Sequence, residues 1–493
     1  MSGMFTQAGT DMQHINDIYI NGQFVQPHGT ETMELINPTD KTVIAVVRLA
    51  DEEDARHAIA AAKAAYKTFS RSSKEARTGY LQRLHDAVQR RAPELIEAMI
   101  REYGGTRRMC TATVARSAAS FLQSIELLQT FDFVRQAGSA RVTMEPLGVV
   151  GLITPWNANY GFICSKLATT LVAGSTAVIK PSELSAMQTQ LLTQCLHEAG
   201  LPPGVFNVVT GRGDTVGAEI TRHPDIAKIS FTGSTAVGKQ IARGAVDTMK
   251  RVTLELGGKS PNVLLDDADL ATAVPQAVMA ASFNNGQACL AGTRLIVPEH
   301  RLDEVKQLVR QAVAAMKVGN PGDEDTVVGP LVTQKQYERV QGYIRLGIEE
   351  GAELLVGGEG HPEGLEQGYF VKPTVFVNVR NDMRIAREEI FGPVLSILTY
   401  RTEEEAVEIA NDTVYGLHGY VSGRDLERAN RVASQIVAGR IFINGLYDEP
   451  RAPFGGFKQS GIGREFGPYG LEAYVEPKAI IGYDVPVHEN ASR

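Results

Sequence analysis

Apolar positions along this chain keep two rhythms. Over DEEDARHAIAAAKAAYKTF (51–69) they recur every three to four residues, which gathers them on one face of an α-helix. Acidic residues fill the first turn behind Asp51, whose side chain suits an N-cap, so a helix is predicted from that point. Helical patterning then continues to about residue 132. Ahead of it, IYINGQFV (18–25) alternates apolar and polar residues around Asn21-Gly22, the pair best suited to a two-residue hairpin turn.

From residue 142 short β-branched runs alternate with helical stretches: GVVGLIT (148–154), STAVIK (175–180), GVFNVVTG (204–211), AKISFTG (227–233) and RVTLELGG (251–258). This alternation predicts an α/β fold with a parallel, doubly wound sheet. Such sheets bind ligands beyond the carboxyl ends of their strands. The runs here end in Thr-Pro, Lys-Pro, Gly-Arg-Gly, Gly-Ser-Thr and Gly-Gly. A second alternating region, about 262–445, holds the helical RLDEVKQLVRQAVAAMK (301–317) and the strand-like FVKPTVFVNV (370–379). A second α/β domain is therefore expected.

Composition narrows the function. A chain of 493 residues exceeds one typical core. Its 49 basic and 57 acidic residues are scattered, with a formal net charge of −8, which argues against nucleic acid or anionic membrane as a partner and favours a small molecule. Apolar runs such as LGVVGLI (147–153) fall short of the ~20 residues of a membrane helix, and the first residues lack a signal-peptide pattern. A cytoplasmic location is expected. Cys110, Cys164, Cys195 and Cys289 form no CxxC pair and are too dispersed for a disulfide framework. No Cys, His or Asp lies within four residues of Cys289, so no metal site is expected.

The candidate chemistry sits in loops. SFTGSTAVGK (230–239) sets Gly233-Ser234 between a strand and a helix, which fits either a structural turn or a pyrophosphate site. Lys180 and Glu183 in VIKPSE follow a strand, as solvated loop charges or as partners for ribose hydroxyls. Glu255 interrupts an apolar strand in LELGGKSPN (254–262), as a partly exposed edge residue or as a carboxylate whose pKa burial raises toward that of a general base. In FNNGQACLAGTR (283–294) Cys289 reads as a packed small residue or as a nucleophile.

In order and spacing, PWN (155–157), IKPSE (179–183), FTGST (231–235), LELGGK (254–259), FNNGQACLAGTR (283–294), EEIFGPV (388–394) and PFGGFKQSGIGRE (453–465) resemble the aldehyde dehydrogenase superfamily over nearly the whole chain. The interval of 34 residues from Glu255 to Cys289 is similar to the family's spacing of base and nucleophile. The resemblance implies NAD(P)-dependent oxidation of an aldehyde to its acid. Cys289 attacks the aldehyde, Asn157 and the Cys289 backbone N–H hold the oxyanion, and Glu255 activates water against the thioester. Lys166 and Glu465 match a proton path found in some members. For the cofactor it implies Lys180 and Glu183 at the adenosine ribose, Gly233 and Ser234 at the pyrophosphate, and Glu389 with Phe391 at the nicotinamide ribose. Ile153, Thr154, Trp156, Gly213, Gly238 and Leu256 complete that crevice. A carboxylate at Glu183 favours NAD, although some relatives with a similar run accept NADP.

This chain departs from the family on the substrate side. Ala158-Asn159-Tyr160 follows PWN where most relatives continue with Phe-Pro, and Ser165 stands where many carry a bulky aromatic. A wider tunnel is expected, admitting a ring-bearing, branched or semialdehyde substrate between Phe162, Phe283 and Phe454. Tyr447, Asp448, Glu449 and Arg451 either select polar substrate ends or face solvent.

The family architecture implies a Rossmann-like cofactor domain (1–138 and 149–258), a catalytic domain (259–446), an oligomerisation arm (139–148 and 471–493) and a return segment (447–470). It also implies a homodimer or homotetramer. Two rival readings remain: a CoA-acylating semialdehyde dehydrogenase, which needs no water-activating base, and a non-catalytic protein on the same fold, which needs loss of a catalytic group.

Overall fold

The computed structural model describes residues 12–447 and 449–483. The expected hairpin pairs Ile18–Ile20 with Gln23–Val25. Asn21 and Gly22 take φ of 52° and 82°, as a two-residue turn matching the strand twist requires. Asp51 caps the helix Glu52–Phe69 by accepting from the N–H groups of Glu53 and Asp54, while the Asp54 side chain returns a bond to the cap backbone. The buried Ala55, Ala58, Ile59 and Ala62 lie on one face of that helix.

The hairpin extends an eight-stranded sheet. Its parallel strands run in the order Arg251–Glu255, Ile226–Thr232, Val149–Ile153, Thr176–Lys180, Phe206–Val208. The order reverses beside Val149–Ile153, whose neighbours are both later strands, so a crevice opens there beyond the carboxyl ends. Helices cover both faces. Leu84, Phe121, Ile163 and Leu171 belong to the core on one side, and Ala58, Ile59, Ile220 and Ile241 to the core on the other.

A seven-stranded sheet follows, in the order Glu353–Val356, Thr374–Val377, Val394–Tyr400, Arg294–Pro298, Pro261–Leu264, His418–Ser422, Arg440–Ile443. All of its pairings are parallel except that of Glu353–Val356. The strand-like run 370–379 shortens to Thr374–Val377. This is expected, since Pro373 removes a ladder donor just ahead of it.

The runs around 140 and 480 pair antiparallel from Val475↔Pro146 to Ile481↔Ala140, and Val134–Ala137 adds a third strand. Leu471 and Glu472 lie in the short helix Gly467–Glu472 rather than in a strand. Residues 484–493 of the expected arm lie outside the described residues. Ile481 is 81% exposed on this small sheet, with Val134, Ile480 and Tyr483 also exposed.

Glu255 ends a strand of the first sheet, whereas Cys289 lies just before Arg294–Pro298 of the second. In the half that holds the second sheet, the buried guanidinium of Arg294 donates to the backbone oxygens of Lys259 (3.0 Å), Ile409 (2.7 Å) and Ala410 (2.7 Å) and to Asn381 Oδ1 (3.3 Å). Among the described residues no carboxylate touches it, so its charge is solvated by backbone carbonyls and one side-chain amide oxygen, and burial lowers its pKa to about 10. An Arg294→Met substitution should strand those carbonyls without water. Urea unfolding is expected to show a loss of about 3 kcal/mol.

Candidate active site

Two loops form the centre. The PWN loop leaves Val149–Ile153 and enters the helix Asn159–Ala173. The cysteine loop leaves the helix Leu270–Ser282 and turns sharply: Asn284, Asn285 and Gly286 have φ of 55°, 58° and 72°. Such a left-handed run is tolerated because asparagine's short amide bonds locally and glycine has no Cβ. A Cβ on Gly286 would stand 2.1 Å from the Gly392 backbone carbon. Asn157 Nδ2 donates to Gln287 O (2.9 Å), and Asn284 Nδ2 donates to Asn157 O (2.8 Å). The two loops are thereby clamped together.

A second ring of bonds fixes the turn. Tyr103 Oη donates to Asn284 Oδ1 (2.8 Å) and accepts from Gln287 Nε2 (3.2 Å). Asn285 Nδ2 donates to Gly104 O (3.0 Å) and Pro330 O (3.1 Å), while its Oδ1 accepts from Gly329 N (2.7 Å). Cys289 emerges half-buried. Burial, and then the charges of Glu389 and Glu255, push its thiol up to about 12, against the pull of the backbone N–H groups of Cys289 and Leu290. At rest it is a neutral thiol.

Glu255 is 2% exposed, and its strand is paired on both sides, by Ile226–Thr232 and by Gly461–Ile462. The edge-strand alternative is thus excluded. Neither carboxylate oxygen has a hydrogen-bond partner, and a Cβ on Gly455 would come within 2.8 Å of Oε1. Burial and then the charge of Glu465 raise the Glu255 pKa well above the carboxylate range, with Lys166, Arg464 and Arg440 opposing. Lys166 and Glu465 form a buried ion pair, and Ser230 Oγ donates to Glu465 Oε1 (2.7 Å) while accepting from Lys166 Nζ (2.8 Å). Ser165, Thr169, Phe466, Gly470 and Tyr474 line a small cavity with this pair.

The strand ends carry buried polar groups without partners, as a dinucleotide site would. The hydroxyls of Thr154 and Thr232 are buried without partners. Gly233 N donates to Glu255 O (3.0 Å), and Ser234 caps the helix Thr235–Ala245 by accepting from Val237 N (3.3 Å). Gly238 lets that helix settle on Leu256, since a Cβ there would lie 2.4 Å from Leu256 Cδ2. Lys180, buried at the end of its strand, donates to Glu183 Oε2 (3.1 Å) and Pro181 O (2.9 Å). Burial lowers its pKa and the Glu183 charge opposes that. Ile153 ends its strand buried. Gly213 is exposed and opens the turn Gly213–Gly217.

Glu389 and Phe391 close the other side. Gly258 N donates to Glu389 Oε1 (3.0 Å), and Gly257 leaves room for that carboxylate, where a Cβ would be 2.6 Å from Oε2. Phe391, at φ 64°, meets Trp156 edge-on with ring centroids 5.5 Å apart. Sequence reasoning missed Gln336 and Arg339, which donate to Phe391 O (2.7 Å) and Glu389 O (2.6 Å). They lie on the helix Gln334–Glu349, and no local motif marks them.

The substrate-side residues are less closely gathered. Ala158 and Phe162 flank the start of the helix Asn159–Ala173, and Phe283 begins the cysteine turn. Ser165 bonds back to Gly161 O (2.7 Å) and faces the Lys166–Glu465 cavity. Phe454 packs on His418 (5.2 Å) and Phe466 (5.6 Å). Tyr447 is 68% exposed, and the exposed Glu449 and Arg451 pair with each other at 3.1 Å. Asp448 lies outside the described residues.

Comparisons with known proteins agree with this geometry. Residues 24–480 match the model of the aldehyde dehydrogenase family. A 3-succinoylsemialdehyde-pyridine dehydrogenase from a Pseudomonas species is 46% identical, over 96% of this chain and 100% of its own length. A crystal structure of a cysteine-to-alanine mutant of aldehyde dehydrogenase C from Pseudomonas syringae, complexed with NAD+ and octanal, superposes with a TM-score of 0.94 at 47% identity, covering 95% of this chain and 97% of that one. Betaine aldehyde dehydrogenase from Staphylococcus aureus, in complex with NAD+, gives a TM-score of 0.93 at 35% identity, covering 96% of each chain. This chain belongs to the aldehyde dehydrogenase family.

Proposed function

We propose that this enzyme oxidises a ring-bearing or otherwise bulky aldehyde, including a semialdehyde, to the free acid with NAD+. One observation carries the chemistry. Cys289 follows a clamped left-handed turn whose Gln287 carbonyl accepts from Asn157 Nδ2, and the charge of Glu255, a buried carboxylate without partners, acts on its thiol.

In this reading the Cys289 sulfur, once deprotonated, bonds to the aldehyde carbon and gives a thiohemiacetal. Asn157 Nδ2 and the Cys289 backbone N–H stabilise the oxyanion. The cofactor, when bound, supplies the acceptor for the hydride. Residues positioned to hold it are Lys180 and Glu183 at one end of the crevice, Gly233, Ser234 and Gly238 at the helix start, and Glu389, Phe391 and Trp156 at the other end. The resulting thioester meets a water whose proton passes to Glu255 as the water oxygen bonds to the acyl carbon, and the carbon–sulfur bond then breaks to release the acid and return the Cys289 sulfur. The charges of the Lys166–Glu465 pair act on Glu255, and the pair offers the proton a way out. The region around the eight-stranded sheet acts as the cofactor half, and that around the seven-stranded sheet supplies the nucleophile.

The substrate class rests on Ala158, which narrows the PWN side less than a bulky residue would, and on the ring and semialdehyde in the name of the Pseudomonas relative. The octanal in the Pseudomonas syringae complex favours a medium-chain aliphatic aldehyde as a second reading. Steady-state kinetics should give higher kcat/KM for aromatic and ring-bearing aldehydes than for short linear ones. The reverse order would defeat the substrate assignment. Self-association through the exposed three-stranded arm is part of the same proposal, and light scattering that returns a monomer would contradict it.

Cys289→Ala should abolish NADH formation. Glu255→Gln should keep a pre-steady-state burst of NADH while slowing release of the acid by about 10²–10⁴-fold. A variant with full acid release would remove Glu255 from its assigned role.

The raised Glu255 pKa has a direct pH consequence. The base form exists only above that pKa, so hydrolysis should fall as pH drops, at a higher pH than for an ordinary carboxylate. Glu255→Gln should erase this limb.

Trp156 is the only tryptophan and its ring meets Phe391, so its fluorescence reports on the crevice. NAD+ should quench it at lower concentration than NADP+, and Glu183→Gln should narrow the gap. Equal quenching by both in the unmodified protein would refute the NAD preference.

A further inference from the structure

We propose that Lys228 is a positioning residue for the hydrolytic half of the reaction, a buried cation that offsets the charge of Glu465 and so keeps Glu255 available as a base. This rests on the reading of Glu255 as the base.

Lys228 is 1% exposed, in the strand Ile226–Thr232. Alternation puts it on the same face as Ser230, whose hydroxyl binds both Lys166 and Glu465. Its ammonium donates to Thr253 Oγ1 (2.6 Å) and lies 4.6 Å from the centre of the Tyr474 ring. Thr253 is two residues before Glu255 on the neighbouring strand, and Tyr474 lines the cavity of the Lys166–Glu465 pair. Among the described residues no carboxylate touches Lys228. A lysine this deep without an ion pair is costly, and a cation–π contact with one hydroxyl offsets only part of that cost.

The surrounding charges show what it acts on. Burial lowers the Lys228 pKa to about 7, with Glu465 opposing and Lys166 and Arg251 adding to the fall. At Glu255 the same Glu465 charge works against ionisation, while Lys166, Arg464 and Arg440 support it. Glu465 thus links the two groups. A positive Lys228 weakens the field that Glu465 exerts on Glu255, and its removal leaves Lys166 as the buried cation paired with Glu465, with Arg464 and Arg440 the other positive charges acting on Glu255. Lys228 gains its charge as pH falls through about 7. The offset therefore strengthens toward low pH and fades above neutrality.

The test follows acid release and the NADH burst against pH for the unmodified enzyme, Lys228→Met and Lys228→Arg. Lys228→Met should move the acid limb of hydrolysis up by about one pH unit and leave the burst amplitude in place, and Lys228→Arg should restore the limb. A limb that stays put while rates fall at every pH would show a merely structural role and overturn the proposal. Thr253→Val, which removes the hydroxyl that accepts from Lys228, should shift the limb in the same direction. If Lys228→Met does not fold, an unmoved limb in Thr253→Val overturns the proposal instead. Absence of any burst in the unmodified enzyme would count against the proposed function, a result distinct from an unmoved limb.

Discussion

The left-handed turn at Asn284–Gly286 is the constraint on which the site depends. Each asparagine held there costs of order 1 kcal/mol, and the turn persists because the side-chain amides of both asparagines are bound. Asn284 reaches the PWN loop and Tyr103, and Asn285 reaches Gly104, Gly329 and Pro330. These partners come from both sides of the molecule. The cysteine is thus placed by the docking of the two α/β halves, and a shift of either half would move the thiol away from Asn157.

Around that turn the structure withholds solvent. Cys289 and Glu255 are both biased to their neutral forms by burial, whereas Lys166 and Glu465 remain paired behind them. A neutral thiol is a poor nucleophile, so the resting site is quiet. Its activity depends on the balance of a few buried charges. That balance is set by which strands stand side by side: Thr232 pairs with Glu255, and Ser230 with Thr253.

Glycines do comparable work at close approaches. Gly257 admits the Glu389 carboxylate, and Gly258 lies where a Cβ would be 2.3 Å from Cys289 O. The LELGGK run is therefore a strand end, a buried carboxylate and a gap for the facing loop at once. The substrate side is built more loosely, with Glu449 and Arg451 exposed and bound to each other.

The sequence by itself determined the element types and proposed the chemistry-bearing residues. Hairpin, capped helix and alternating strands follow from local periodicity and turn chemistry, whereas local pattern leaves Cys289 and Glu255 open and only the ordered set of family motifs singles them out with Asn157. It mistook the extent of 370–379 and the start of the terminal arm, where Pro373 and the helix Gly467–Glu472 prevail. Only the tertiary structure decided that Glu255 has no partner, that Ser165 faces the Lys166–Glu465 cavity, and that Gln336, Arg339 and Lys228 belong near the site. Burial, charge and long-range pairing arise from elements distant in the chain, and no local pattern encodes which strand edges will meet.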